Sequence, residues 1–148
     1  MEKKILLNEK IFVAGAKGMA GSAICRSLIK KGYGEINGGQ ILKPARKELD
    51  LLDTDKVAKW FKLNKPTVVI IAAAKVGGIL ANSKYPTQFL LDNLKIQNNL
   101  IENSWKTGVK RLLFLGSSCI YPKFANQPLK EKCLLSGELE KTNESYAI

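Results

Sequence analysis

The sequence contains no histidine. That absence removes the commonest acid–base side chain and the commonest metal ligand, so any proton transfer must fall to Tyr, Cys, Lys or a carboxylate. Cysteine is scarce as well: Cys25, Cys119 and Cys133 make an odd count at irregular spacing, without a C-x-x-C pair. Neither a disulfide framework nor a metal site is expected, and a cytoplasmic location is the natural reading. Long apolar runs are missing too. The longest, Val68–Ala74, falls far short of the roughly 20 residues a membrane helix needs. Near the start only Ile5–Leu7 is apolar, too short for a secretory core. The protein is therefore expected neither to span a membrane nor to be exported. Arginine is limited to Arg26, Arg46 and Arg111 among 24 Lys and Arg residues. Base-edge readout and bidentate phosphate clamps favour Arg, and the lysines are scattered singly or in pairs. The net charge of +11 thus points to a solvated surface and small anionic ligands rather than to nucleic acid.

What is present describes one ordinary globular domain of 148 residues, 45% hydrophobic and 25% charged. Lys10–Ala14 reads as a short strand that runs straight into Gly15. Ala20, Ala23, Ile24 and Leu28 then fall on one helical face, stopped by Lys30, Lys31 and Gly32. Ile41-Leu42 is the second strand, and Asp53 caps a helix carrying Val57, Trp60 and Phe61 that Pro66 ends. Val68–Ala74 does not alternate, as expected of a parallel strand covered on both faces. After Gly77-Gly78, a long helix is predicted from about Pro86 to Thr107, with Leu90, Leu94, Ile101 and Trp105 as its apolar stripe, widened by Phe89, Ile96 and Leu100. Leu112–Leu115 reads as another buried strand. Strands alternating with helices predict an α/β, doubly wound Rossmann-type parallel sheet with helices on both faces. No polar linker divides the chain, so residues 1–148 are taken as one domain.

Gly15, Gly18 and Gly21 form G-x-x-G-x-x-G between the first strand and its helix. There the backbone must turn tightly and approach a pyrophosphate closely, and the helix N-terminus offers it unpaired N–H groups. A nucleotide site follows. A site for NAD places an acid near the ribose about 20 residues on, whereas the 2′-phosphate of NADP needs a cation. Here the second strand leads into Lys43-Pro-Ala-Arg46-Lys47 before the first acid, Glu48. NADP is the expected cofactor; the competing reading is a solvated basic loop. Asp50 suits either the adenine edge or a turn before Asp53.

The segment Gly116-Ser117-Ser118-Cys119-Ile120-Tyr121-Pro122 follows the last strand, where an open parallel sheet presents its ligand crevice. A hydrolase nucleophile is not expected: the G-x-S-x-G elbow is absent, and these 148 residues hold no His to activate Ser or Cys. Tyr146 lies 29 residues beyond Ser117, preceded by Thr142-Asn143-Glu144-Ser145. Plain alternatives are a strand-end cap for Ser117, a small buried hydrophobe for Cys119 and a packing role for Tyr146. With AGAKGMAGSAI, AAAKVGGILAN, LFLGSSCIYPK and TNESYAI, the chain resembles the extended short-chain dehydrogenase/reductases, and among them the GDP-L-fucose synthase family.

That resemblance implies epimerisation of a 4-keto-6-deoxy GDP-mannose at C3 and C5 and reduction of C4 by NADPH, giving GDP-L-fucose. Gly15, Ala16, Lys17, Gly18, Met19, Ala20 and Gly21 match the pyrophosphate turn, with Lys17 a basic residue close to a phosphate. Lys43 and Arg46 fall in the 2′-phosphate loop, which holds an extra residue here and leaves open which cation acts. Leu115, Gly116 and Ser118 match positions along the cofactor. Ser117 matches the Ser that hydrogen-bonds the sugar carbonyl, Cys119 the epimerisation base and Tyr146 the proton donor. The chemistry suits these side chains: a thiolate can take a proton from carbon beside a ketone, and a phenol can protonate the forming alkoxide. The family's Tyr-x-x-x-Lys would put its Lys at position 150, past Ile148. The chain is therefore expected to be an N-terminal fragment with most of a nucleotide site and little activity, lacking the GDP-sugar domain. A homodimer through long helices flanking the sheet is implied for the full length. Alternatives are another nucleotide-sugar epimerase or reductase, or a non-catalytic NADP-binding module.

Overall fold

Four strands run parallel in the order β2-β1-β3-β4 in the computed structural model, which describes residues 5–35 and 37–148. They are β1 (Lys10–Ala14), β2 (Gln40–Leu42), β3 (Val68–Ile71) and β4 (Arg111–Phe114). Parallel neighbours need crossover connections. These are α1 (Met19–Lys30), α2 (Thr54–Asn64), and then α3 (Ile79–Lys84) with the long α4 (Pro86–Lys106). The pleat divides each apolar run between two faces. Ile11, Val13, Val68 and Ile70 pack with Cys25, Ile24 and Leu28 of α1. Phe12, Ala14, Val69 and Ile71 pack on the other side with Val57 and Phe61 of α2 and Leu100 of α4. Helices therefore cover both faces, as the non-alternating strands require. At the heart of the second cluster, the Phe12 ring lies 4.4 Å from Trp60 and meets Phe61 edge-on at 5.8 Å.

Local chemistry sets the ends of α2 as expected. The Asp53 carboxylate accepts from the Lys56 backbone N–H at 3.0 Å, and Lys65 closes the helix in the left-handed conformation just before Pro66. Several expectations need correcting. In α1 the buried positions are Gly21 and Cys25 with Ile24 and Leu28 beside them, while Ala20 and Ala23 are exposed, so the packed face lies one residue further on. In α4 the extent is right and Phe89 and Leu100 are buried as expected, but Asn99, Asn103 and Ser104 share their face. The expected stripe reaches solvent at Ile101 and at Trp105, which is 79% exposed. Polar residues occupy the packed side because their amides find carbonyls: Asn99 donates to Leu51 O and Asn103 to Asn99 O, both at 2.8 Å. Finally, β4 is not buried. Leu112, Leu113, Phe114 and Leu115 are all exposed, since among the described residues β4 stands at the edge of the sheet and has β3 as its one strand neighbour. The strand over Val68–Ala74 stops at Ile71, and α3 has no counterpart in the periodicity reading.

The described chain groups into two compact units. The first holds the sheet and comprises Met1–Ala74 with Lys95–Leu115. The second comprises Lys75–Leu94 and Gly116–Ile148, including α3, a 3-10 turn at Ser118–Ile120 and the short α5 (Glu144–Ala147).

Glu9, buried just before β1, accepts from Lys110 Nζ at 3.3 Å. The Thr67 hydroxyl and that ammonium hold its carboxyl below the ordinary value of 4.5 despite its burial. A carboxyl lowered on folding adds stability above its unfolded value, and that stability is lost as pH falls through the folded value. Glu9→Gln is expected to flatten the acid limb of the urea-midpoint profile between about pH 5 and 3. An acid limb as steep as the parent's would exclude this linkage.

Candidate active site

In the first unit, β1 delivers the chain into a glycine turn whose three glycines serve different ends. Gly15 has φ +80°, and a Cβ there would lie 2.7 Å from the Ala72 and Ala73 backbone that leaves β3. Gly18 N donates to Gly15 O at 2.9 Å and closes the turn. At Gly21 a Cβ would overlap Gly15 O and come within 2.7 Å of the Gly15 carbonyl carbon. Both positions are thus demanded by the protein's own backbone. Gly18 is not: its φ of −73° is ordinary, and a Cβ would meet only Gly15 O, at 3.3 Å. It is exposed at the N-cap of α1 and makes no side-chain cap, so the first-turn N–H groups of the exposed Met19 and Ala20 have no capping side chain. Lys17, Met19 and Ala20 are exposed around it, Ala16 packs inward, and no acid stands in the first turn. An uncapped helix N-terminus with a bare backbone approach and a neighbouring Lys fits a phosphate group.

The loop after β2 is basic in fact as well as in sequence. Glu48 turns back to accept from Ala45 N at 2.6 Å, and Asp50 accepts from Leu52 N at 3.1 Å. Asp50 does form the turn before Asp53, whose N–H donates to the Asp50 carbonyl at 3.1 Å. Lys43 is exposed and carries no ion pair among the described residues. Arg46 only approaches Asp50 at 4.0 Å with both side chains largely solvated, a contact worth little.

In the second unit, Ser117 Oγ accepts from Cys119 N at 3.2 Å and starts the 3-10 turn, leaving its own hydroxyl proton unspent. The Cys119 thiol is half-buried, unlike that of Cys25 in the core. α5 packs against this turn. Asn143, at the head of α5, donates through Nδ2 to Cys119 Sγ at 3.2 Å, and Tyr146 N donates back to Asn143 O at 2.9 Å. Ser117, Cys119 and the Asn143–Tyr146 segment are thus brought together. Ser118 and Gly116 are exposed beside them, and Leu115, the last residue of the first unit, donates to Ile71 O at 3.1 Å. A hydroxyl donor, a thiol and a phenol form a set able to polarise a carbonyl, accept a proton from carbon and return one to oxygen.

Sequence reasoning missed three asparagines in this unit. Asn93 bonds both Lys75 N (2.7 Å) and Lys75 O (3.0 Å), while Lys75 Nζ reaches Asp92 at 2.8 Å and Gln88 at 3.1 Å. Asn82 bonds Gly77 O and Gly78 O, and Asn143 bonds the thiol. Asn inside a helix carries no periodic signal; only its proximity to the motif stretches marks it.

The sequence pattern of one family, described as the NAD dependent epimerase/dehydratase family, matches residues 11–148. The chain belongs to this family. Within it, the chain is 50% identical over its whole length to a GDP-L-fucose synthase from Sinorhizobium fredii and covers 45% of that protein. Among solved structures, it resembles a GDP-mannoheptose C4 reductase from Campylobacter jejuni with NADP bound, with TM-score 0.88 and 41% identity over 97% of this chain and 44% of that one. It also resembles a GDP-L-fucose synthetase from Naegleria fowleri bound to NADP, with TM-score 0.83 and 30% identity over 97% of this chain and 44% of that one. The chain thus spans less than half the length of these relatives. The fold matches the Rossmann-type sheet shared by the family's epimerase and reductase members.

The different demands on the glycines are measurable in urea. Gly21→Ala is expected to cost about 2–3 kcal/mol of stability, because the added methyl meets backbone. Gly18→Ala is expected to cost less than about 1 kcal/mol. Equal effects would contradict the geometry of the turn.

Proposed function

We propose that the protein carrying this chain is an NADPH-dependent epimerase and reductase that converts GDP-4-keto-6-deoxy-D-mannose to GDP-L-fucose. Residues 1–148 would be its NADP-binding part. The observation that carries the reading is a half-buried thiol, Cys119, two residues past Ser117 and in one unit with Tyr146. A plain reductase needs the hydroxyl and the phenol but has no use for a base against carbon; the thiol supplies one. Identity of 50% to a GDP-L-fucose synthase across the whole chain supports the same choice.

In this reading the exposed N–H groups of Met19 and Ala20 at the start of α1 and the Lys17 ammonium hold the pyrophosphate, while Lys43 and Arg46 hold the 2′-phosphate. Leu115, Gly116 and Ser118 line the cofactor. NADPH, when bound, supplies the hydride for C4. Cys119 as thiolate takes the proton from C3, passes it to solvent and then takes the proton from C5 beside the ketone, and a second acid on the opposite face, supplied by the rest of the protein, returns a proton to each carbon in turn. Ser117 donates its hydroxyl proton as a hydrogen bond to the C4 carbonyl, which favours the enolate, and Tyr146 protonates the C4 oxygen. The protein would work in the cytoplasm on a soluble GDP-sugar, with neither nucleic acid nor membrane as partner. The exposed side of α4, from Leu91 to Trp105, would serve a homodimer at full length.

The test is product analysis in D2O with the protein at its full natural length, NADPH and the keto-sugar. GDP-L-fucose with deuterium at C3 and C5 is expected. Reduction without deuterium at those carbons would identify a plain 4-reductase and overturn the proposal.

A further inference from the structure

We propose that Asn143 is a positioning residue for Cys119, fixing its sulfur and favouring its ionised form. The inference rests on the reading of Cys119 as the base that takes the carbon-bound protons. Asn143 Nδ2 lies 3.2 Å from Cys119 Sγ, across 24 residues of sequence. An amide N–H can only donate, and a thiolate accepts such a bond far more strongly than a neutral thiol does. The Asn143 oxygen is buried and has no hydrogen-bond partner among the described residues. Turned over, the amide would set that oxygen against the sulfur, where it could accept only the weak S–H donor. The arrangement found instead spends the amide's donor on sulfur and leaves its acceptor unpaired.

The position of Asn143 adds a second argument. It is the N-cap of α5, the place where an Asn side chain ordinarily accepts from the backbone of its own helix, and here it makes no such bond. Its backbone carbonyl meanwhile accepts from Tyr146 N at 2.9 Å and Ala147 N at 3.0 Å. One residue therefore ties the sulfur to the turn of helix that carries the phenol. Lys123 and Glu140 lie in the same unit, but they pair with each other at 2.7 Å. Among the described residues, the contact the structure gives the Cys119 sulfur is this amide.

Two substitutions separate this role from a merely structural one. Asn143→Ala removes the donor. Asn143→Asp keeps the shape and is as good an N-cap, but replaces the donor with a carboxylate facing the sulfur. A structural role ranks Asp at least equal to Ala; support of negative sulfur ranks Asp well below it. Alkylation by iodoacetamide proceeds through the thiolate, and Cys133, in the same unit, serves as internal reference in each mass spectrum. At pH 7 the Ala variant is expected to slow Cys119 alkylation about threefold to tenfold, and the Asp variant several-fold more, with Cys133 unchanged. An Asp variant that reacts as fast as the Ala variant, or faster, overturns the proposal. In the full-length protein the same order should appear in deuterium wash-in at C3 and C5. If the variants show the alkylation order but the full-length parent shows no wash-in at all, the assignment of Cys119 as base falls, while the coupling of Asn143 to the thiol stands.

Discussion

The approach of α1 to the end of β1 is the constraint on which the nucleotide half of the molecule depends. The Gly15 carbonyl sits where a side chain at residue 21 would be, and the backbone after β3 sits where a side chain at residue 15 would be. With both Cβ atoms gone, α1 begins almost on top of the strand that feeds it. Its first turn then faces outward, uncapped and without an acid. Any larger residue at those two positions would push the helix away and lose the cluster of N–H groups that an anion needs. The two-sided packing of the sheet holds this geometry, since Ile11 and Val13 anchor one face and Phe12 and Ala14 the other.

Ser117, Cys119 and Tyr146 follow a different logic, in which short-range hydrogen bonds do what a large core does elsewhere. The segment after Gly116 buries few apolar side chains, and Phe124 and Leu135 are almost fully exposed. What orders Ser117, Cys119 and Tyr146 is a sequence of local bonds: Ser117 to Cys119, Cys119 to Asn143, and Asn143 to Tyr146. Each bond of this kind contributes only about 1 kcal/mol net. Their worth lies in fixing the distance between a thiol and a helix that carries a phenol. A half-buried thiol beside a hydrogen-bond donor is placed to meet a ligand, whereas the thiol packed among Ile and Val, as at Cys25, is filling for the core.

How much of this could be read in advance varied with the physics. β1 was legible to the residue, because an apolar run meeting a glycine leaves no other reading, and α2 was framed by Asp53 and Pro66. The length of α4 was legible from Pro86 onward, and so were Phe89, Ile96 and Leu100 on its packed face, whereas Ile101 and Trp105 proved to lie outside it. Burial there is shared with Asn99, Asn103 and Ser104, whose polar atoms a hydrophobic pattern counts against them. LLFL announced a strand correctly and its burial wrongly, since an apolar run looks alike at a sheet's edge and at its centre. α3, six residues between Gly78 and Pro86, is too short to show a period. Ser117, Cys119 and Tyr146 stood out through resemblance, whereas Asn143 had to wait for its distance to the sulfur.

The central claim is that this chain holds NADP(H), with the glycine turn taking the pyrophosphate and the loop after β2 the 2′-phosphate. The most direct measurement is a paired fluorescence titration with NADPH and NADH on the parent chain and on a Lys43→Ala, Arg46→Ala double variant. The account predicts that the parent binds NADPH at least about tenfold more tightly than NADH. The variant should lose most of that preference while keeping its affinity for NADH, since each phosphate contact is charge-assisted. Equal affinity of the parent for both cofactors, or a preference that survives in the variant, would contradict it.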